Sequence, residues 1–108
     1  MDRQEHWKRL GINSDQLAVF CEKWRIRELA LLGSILGQDF AAASDIDMLV
    51  TFRPDAGLTL WRFIHFREEL EQLTGRKVDV IERPVLKRSR NYIRRQAILE
   101  SAEVIYAA

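Results

Sequence analysis

Two aspartates, Asp45 and Asp47, stand two positions apart at the start of an apolar run in the middle of the chain. Alternate side chains of a β-strand point to the same face, so these carboxylates should project together from the start of a strand. Neighbouring carboxylates raise each other's pKa unless a positive charge lies between them. Mg²⁺ commonly supplies that charge, because it binds carboxylate and phosphate oxygens together. The pair therefore suggests a metal site, although Asp-x-Asp beside a strand is a common pattern.

A Gly-Ser pair, Gly33 and Ser34, ends an earlier apolar run and is separated from the aspartates by ten residues. Glycine lets the backbone approach a ligand closely, and a serine hydroxyl can donate a hydrogen bond to a phosphate oxygen. If a helical turn begins at the pair, its free N–H groups would also favour an anion. The alternative is a plain strand-to-helix turn, and the Gly-Ser pair alone would favour that alternative.

A third acid, Asp79, lies within the apolar run 78–81. Burying an unpaired charge in a strand would be costly, so this aspartate needs a partner or solvent. It falls on the opposite face of the strand from Val78 and Val80. There it could join Asp45 and Asp47 in a metal-binding cluster. The alternative is an edge position with Asp79 in solvent.

The order strand, Gly-Ser, ten-residue gap, Asp-x-Asp, strand resembles the polymerase-β-type nucleotidyltransferase superfamily. It is most similar to the minimal nucleotidyltransferases that serve as antitoxins of HEPN-domain toxins, and the resemblance covers residues from about 14 to 108. It implies that Asp45, Asp47 and Asp79 are catalytic and bind two Mg²⁺ ions, and that Gly33 and Ser34 bind the nucleotide. It further implies an enzyme that transfers AMP from ATP to a tyrosine of its toxin.

The chain departs from that family pattern at one position, and other functions remain open. Relatives commonly carry an arginine three positions after the motif serine, where this chain has Gly37, so a positive charge near the phosphates is missing. The main alternative is a non-catalytic partner that neutralises its toxin by forming a complex. Transfer to a small molecule is less favoured, because the relatives that do this generally carry an additional helical domain.

Length and composition favour a small globular protein. The chain has 108 residues, of which 47% are hydrophobic and 31% are charged, so we expect one nucleotidyltransferase domain over 1–108, with 1–12 as a short helix or an arm. The net charge of +1 makes direct nucleic-acid binding unexpected. A single cysteine, Cys21, excludes an internal disulfide. No apolar segment predicts a leader or a membrane span, so a cytoplasmic location is expected.

The pattern of apolar residues predicts an α/β (α+β) fold: a small mixed β-sheet with flanking helices, as in the polymerase-β-like nucleotidyltransferase core. The first strand should be central, because its apolar run is continuous. The end of the chain could be a helix tail or a docked strand. The predicted elements are a helix beginning near Ser14 as N-cap, strands over 26–32, 45–52 and 78–81, a helical turn within 35–44, and helices over 58–74 and 89–102.

The faces of the helices carry further expectations. In the helix 58–74, an apolar face marked by Leu60 and widened by Trp61 favours a thick core contact, with a partner surface as the alternative. A small domain with so wide an apolar helix is expected in a hetero-oligomer. In the helix 89–102, Ile93, Ala97 and Ile98 should pack inward.

A basic segment, residues 83–95, holds six lysines and arginines and no acid. It could face the triphosphate, an acidic partner or solvent. One of its arginines could replace the positive charge missing at Gly37, but the sequence does not indicate which one. With Tyr92 as its only aromatic residue, the segment has few stacking groups for a nucleic acid.

Overall fold

A four-stranded mixed sheet organises the chain in a computed structural model that describes residues 3–38, 40–41 and 44–108. The strands are β1 (Ile26–Leu32), β2 (Ile46–Phe52), β3 (Val78–Glu82) and β4 (Glu103–Ala107), in the spatial order β3-β2-β1-β4. β1 pairs antiparallel with both β2 and β4, whereas β2 and β3 are parallel. The sheet is therefore mixed, and β1 is an interior strand, both as predicted.

The helices form a layer on each side of this sheet. α1, α2 and α3 contribute to a large apolar cluster on one face, and α4 and α5 contribute to a smaller cluster on the other. A 3₁₀ turn, Gly33–Leu36, directly follows β1. The helices are α1 (Arg3–Leu10), α2 (Ser14–Lys23), α3 (Leu60–Thr74), α4 (Arg83–Lys87) and α5 (Tyr92–Ser101).

The larger cluster is built around Phe66 of α3, which is fully buried. Its ring lies 5.4 Å from that of Phe20 in α2 and 5.2 Å from that of Phe52 at the end of β2, measured between centroids. Aromatic pairs at such separations add to the stability gained from burying their area. Phe66 therefore joins the helical layer to the sheet.

The smaller cluster consists of small and aliphatic side chains. Ala30 and Leu32 of β1 and Leu49 of β2 contact Leu86 of α4, and Ile98 of α5 packs against them. Because strand side chains alternate between faces, this cluster uses the residues of β1 and β2 that the larger cluster leaves on the opposite side. The sheet is thus covered on both faces.

The fold class and the three predicted strands are confirmed, and the uncertain segments are now assigned. The N-terminal residues form α1 rather than an arm, and the C-terminal segment forms β4 rather than a helix tail. The short helix α4 was not predicted; Pro84 in its first turn supplies a backbone angle that suits a helix start. The predicted turn over 35–44 begins earlier, at Gly33, and part of it lies outside the described residues.

The predicted N-cap of α2 is wrong by one position. Asn13, not Ser14, caps the helix: its side chain accepts a hydrogen bond from the backbone N–H of Gln16 at 2.8 Å. The side chain of Gln16 in turn accepts one from the backbone N–H of Asn13 at 2.9 Å. This reciprocal pair satisfies two N–H groups, which a serine at the first helical position does not do.

Three large apolar side chains that were expected in the core are exposed. Leu60 and Trp61 at the start of α3 are 74% and 72% exposed, and Ile93 at the start of α5 is 81% exposed. The start of α3 therefore presents an uncovered apolar surface instead of a thicker core contact. Among the described helices, none has both the length and the apolar character needed to cross a membrane.

Replacing Phe66 by Ala should lower the free energy of unfolding by about 3–5 kcal/mol, since a fully buried ring is lost from a packed cluster. Trp61→Ala is the matched control, as its exposed ring should change stability by no more than about 0.5 kcal/mol. Urea denaturation of both variants measures the difference. Equal losses in the two variants would contradict this description of the core.

Candidate active site

Asp47 and Asp79 stand side by side because β2 and β3 pair in parallel. The two residues are direct partners in the register of these strands, so their side chains project from the same face of the sheet. It is the face covered by α4 and α5, since Leu49 and Ile81, two positions further along each strand, belong to the smaller cluster. The predicted association of these two acids is therefore present in the fold.

Asp45 lies just before β2 and is exposed, while Asp47 is partly buried. Burial raises the pKa of Asp47, and the carboxylates of Asp79 and Asp45 raise it further. Both neighbouring acids therefore act electrostatically on Asp47. Asp79 is exposed on an edge strand, as one alternative expected, and it also lies beside another acid. Its place in a metal-binding cluster stays a prediction.

The donor set suits Mg²⁺ held jointly by protein and phosphate. Among the residues that the structure describes, no three acidic, histidine or cysteine side chains stand close enough to form a complete metal cage. Mg²⁺ at phosphate-transfer sites is usually held by one or two carboxylates, with water and phosphate oxygens completing its shell. Asp45 and Asp79 are exposed, Asp47 is half-buried, and the first two raise the pKa of Asp47. Carboxylates of this kind fit that arrangement better than they fit a closed site.

Gly33 is required where the first strand meets the acids. Its φ is +71°, a conformation that side-chain-bearing residues rarely adopt. A Cβ atom at this position would lie 2.6 Å from Oδ2 of Asp47. Leu32, the residue before it, is the register partner of Asp47 in β2. The glycine therefore lets the turn pass directly against the carboxylate.

Ser34 lies within the 3₁₀ turn, so a helical turn does begin at the Gly-Ser pair. Its side chain lies outside the described part of the structure, so its role in phosphate binding stays a prediction.

Two arginines hold the loop that joins this turn to the acids. Arg9 of α1 donates hydrogen bonds to backbone carbonyls in the loop, including that of Gly37, and Arg76 donates one to the carbonyl of Ser44 at 3.2 Å. The guanidinium carbons lie 5.6 Å and 4.3 Å from the centroid of the Phe40 ring, respectively. Phe40 also packs against the larger cluster. These contacts fix the described part of the loop to the rest of the domain.

A pocket of about 540 Å³ opens beside the acids and is bounded by α5. This volume falls in the range of small-molecule sites. Sequence reasoning did not assign any face of α5 to the site. The sequence spacing of the α5 residues that line the pocket shows that they share one face of the helix. It does not show that this face turns toward the acids. The lining residues are Leu32, Gly33, Asp47, Asp79, Ile81, Arg94, Ala97, Ile98 and Ser101.

Residues 14–104 match the family model described as the nucleotidyltransferase domain. The chain belongs to this family. The match includes Gly33, Asp45, Asp47 and Asp79, the residues that the fold gathers at one end of the sheet. The nucleotidyltransferase assignment made from the sequence is confirmed, and the mixed sheet expected for this domain is present.

Relatives of the chain carry names that agree with this family. It is 35% identical over 66 residues to a protein adenylyltransferase, MntA, of Thermococcus cleftensis, covering 61% of this chain and 65% of that protein. It is 30% identical over 76 residues to a Methanocaldococcus jannaschii protein provisionally named a protein adenylyltransferase, covering 66% of this chain and 76% of that one. The chain thus spans slightly less than two thirds of the length of the Thermococcus relative.

A solved structure shares the fold of the nucleotidyltransferase domain. It is a complex of the tri-AMPylated HEPN toxin of Shewanella oneidensis with its MNT antitoxin. The similarity covers 88% of this chain and 70% of the matched chain, with a TM-score of 0.57 and 15% sequence identity. At that identity the likeness concerns the fold.

Gly33→Ala should displace the carboxylate of Asp47, because the added Cβ would occupy its place. Gly75→Ala is the control: Gly75 has the same φ of +71° but nothing within 4 Å of the Cβ position. Both variants should lose about 1–2 kcal/mol of stability from backbone strain. Only Gly33→Ala should change the carboxyl ¹³C titration of Asp47 in NMR, and identical titrations in both variants would contradict the close approach.

Asp79→Asn should lower the pKa of Asp47, since it removes a neighbouring negative charge. The pKa of Asp47 is raised in the folded state, so its contribution to stability declines as the pH rises from the unfolded-state to the folded-state pKa. The variant should therefore be more stable than the parent at neutral pH, and this advantage should disappear once the carboxyls are protonated at low pH.

Carboxyl ¹³C titration and urea denaturation across pH measure these two effects. Glu68→Gln, on the exposed surface of α3, removes an acid that does not act on Asp47 and should leave its pKa unchanged. An unchanged Asp47 pKa in Asp79→Asn would show that the two carboxylates are not coupled.

Proposed function

We propose that this chain is a Mg²⁺-dependent protein adenylyltransferase that transfers AMP from ATP to a tyrosine of a HEPN-domain toxin. The observation that carries the proposal is the in-register pairing of Asp47 with Asp79 beside Gly33, in a chain of the nucleotidyltransferase family. The names of the relatives support protein as the acceptor and AMP as the transferred group. The complex from Shewanella oneidensis supports a HEPN toxin as the partner.

The acidic residues would hold the metal and receive the proton. Asp45 and Asp47 would bind Mg²⁺, and Asp79 would contribute to binding a second Mg²⁺ ion. These ions supply positive charge that stabilises the attacking and leaving oxygens at the α-phosphate. Asp79 is exposed, so an incoming hydroxyl can reach it.

The transfer itself exchanges one bond at the α-phosphorus for another. The tyrosine oxygen forms a bond to the α-phosphorus while the bond to the β-phosphate oxygen breaks, and pyrophosphate leaves. The proton of the tyrosine hydroxyl passes to the carboxylate of Asp79, which acts as general base. Gly33 lets the turn after β1 approach the Asp47 carboxylate, since a Cβ at this position would lie 2.6 Å from Oδ2.

The exposed side chains at the start of α3 suit assembly with another protein. Leu60 and Trp61 are adjacent and are each more than two thirds exposed. Tryptophan is enriched at protein interfaces, where its large ring can be buried against a partner. A hetero-oligomer with the toxin would cover this surface. Such a hetero-oligomer is compatible both with a catalytic antitoxin and with an antitoxin that acts only by binding.

Incubating the chain with its partner toxin, ATP and Mg²⁺ should add one or more AMP units to the toxin. Asp47→Asn should reduce the rate of this addition by at least about 100-fold, as a principal ligand of the metal–phosphate assembly is lost. Asp15→Asn, at the start of α2, removes an acid outside the pocket and should keep the parental rate. Intact mass spectrometry of both proteins measures the addition.

The same proteins separate the catalytic function from the binding alternative. A toxin that gains no mass, although it still co-elutes with the chain and is neutralised, would overturn the proposed transfer in favour of neutralisation by binding. Neutralisation that persists in the double variant Asp45→Ala with Asp47→Ala would likewise show that binding, and not transfer, silences the toxin.

A further inference from the structure

The pocket beside the acids brings together negative charges that oppose the proposed substrate. Asp47 and Asp79 line it, and Asp45 acts on Asp47 electrostatically. A nucleoside triphosphate adds further negative charge, so binding it requires cations from the metal and from the protein. The resemblance to the minimal nucleotidyltransferases implies an arginine three positions after Ser34, where this chain has Gly37. Another basic side chain must then face the phosphates.

Four other arginines, none of which lines this pocket, are already engaged in contacts elsewhere. Arg9 donates its hydrogen bonds to carbonyls near the start of the connecting loop, and Arg76 donates to carbonyls near its end. Within the basic segment, Arg83 forms an ion pair with Glu28 at 3.2 Å. Arg95 donates to backbone carbonyls of that segment and lies over the ring of Tyr92, 5.0 Å from its centroid.

Arg94 differs from these residues in both position and contacts. It is the one basic residue that lines the acid pocket in the described part of the chain. Its guanidinium makes no hydrogen bond or ion pair to any other described residue, and only its backbone N–H is engaged, donating to Asn91 at 3.0 Å. A free, exposed guanidinium at the mouth of an acidic pocket is a suitable donor for phosphate oxygens.

The helix α5 fixes the place of this side chain. Arg94, Ala97, Ile98 and Ser101 recur at helical spacing and line the same pocket. Ile98 packs in the smaller cluster on the sheet, which sets the rotation of the helix. Two of the other lining side chains on this face, those of Ala97 and Ser101, are small.

The geometry points to Arg94 as the residue that binds the non-transferred phosphates of the nucleotide, in place of the arginine missing at Gly37. This inference rests on the proposed function for the identity of the substrate. Arg94 would donate its N–H groups to oxygens of the β- and γ-phosphates and would keep holding them as pyrophosphate forms. The acceptor tyrosine needs no contact with it.

The test is calorimetric titration of the purified chain with ATP in the presence of Mg²⁺. Arg94→Gln should raise the Kd for ATP by about 10- to 100-fold, the value of a lost charge-assisted contact. Arg94→Lys keeps the positive charge but cannot donate two parallel hydrogen bonds in the bidentate geometry of a guanidinium, so its Kd should be intermediate. Arg90→Gln is the matched control, an exposed arginine of the same segment that does not line the pocket, and it should change the Kd less than about twofold.

The outcome separates this inference from the proposed function. Equal ATP affinities in Arg94→Gln and Arg90→Gln would overturn the role of Arg94, whatever the transfer assay shows. Weaker ATP binding in Arg94→Gln without AMP transfer by the parent would support Arg94 and overturn the transferase proposal. A parent chain that binds no ATP would overturn both. Unchanged circular dichroism of the variants confirms that each one is folded.

Discussion

The parallel pairing of β2 with β3 is the constraint on which the site depends. It places Asp47 opposite Asp79 in register, and a shift of one residue would turn one of the two carboxylates to the other face. Parallel strands need a long crossover between them, which α3 provides. The buried ring of Phe66 anchors that crossover to the sheet. Packing on one face of the sheet therefore sets the electrostatics on the other.

Bringing three acids together has an electrostatic cost, and this cost indicates that the site favours a positively charged ligand. Burial and two neighbouring carboxylates raise the pKa of Asp47, so the ionised cluster is unfavourable in isolation. A cation relieves this repulsion, and the exposure of Asp45 and Asp79 leaves their oxygens accessible to it. Gly33 lies directly against the carboxylate of Asp47, where a side chain would collide with it. These features together describe a site that is completed by its substrate.

Positive charge is distributed around the site by three different elements. Arg9 from α1 and Arg76 near the start of β3 support the loop through backbone carbonyls and the ring of Phe40. Arg94 from α5 faces the pocket without a partner among the described residues. The first two arginines therefore position the backbone, and the third is available to a ligand.

Local pattern by itself predicted three of the four strands, the order of the main elements and the three candidate acids. Continuous apolar runs, alternation within strands and the Gly-Ser to Asp-x-Asp spacing are all properties of neighbouring residues, and the family resemblance rests on the same stretch. The exposure of Leu60, Trp61 and Ile93 could not be read in this way, because it depends on where each helix begins relative to the sheet.

Only the tertiary structure decided which basic residue belongs to the site. The segment 83–95 offers six cations, and nothing in the sequence shows which of them would face the acids. Helix α5 returns across the sheet, and the packing of Ile98 fixes its rotation, so that Arg94 lines the acid pocket while Arg95 is turned back to its own segment. That selection depends on contacts between residues far apart in the chain, which no local pattern encodes.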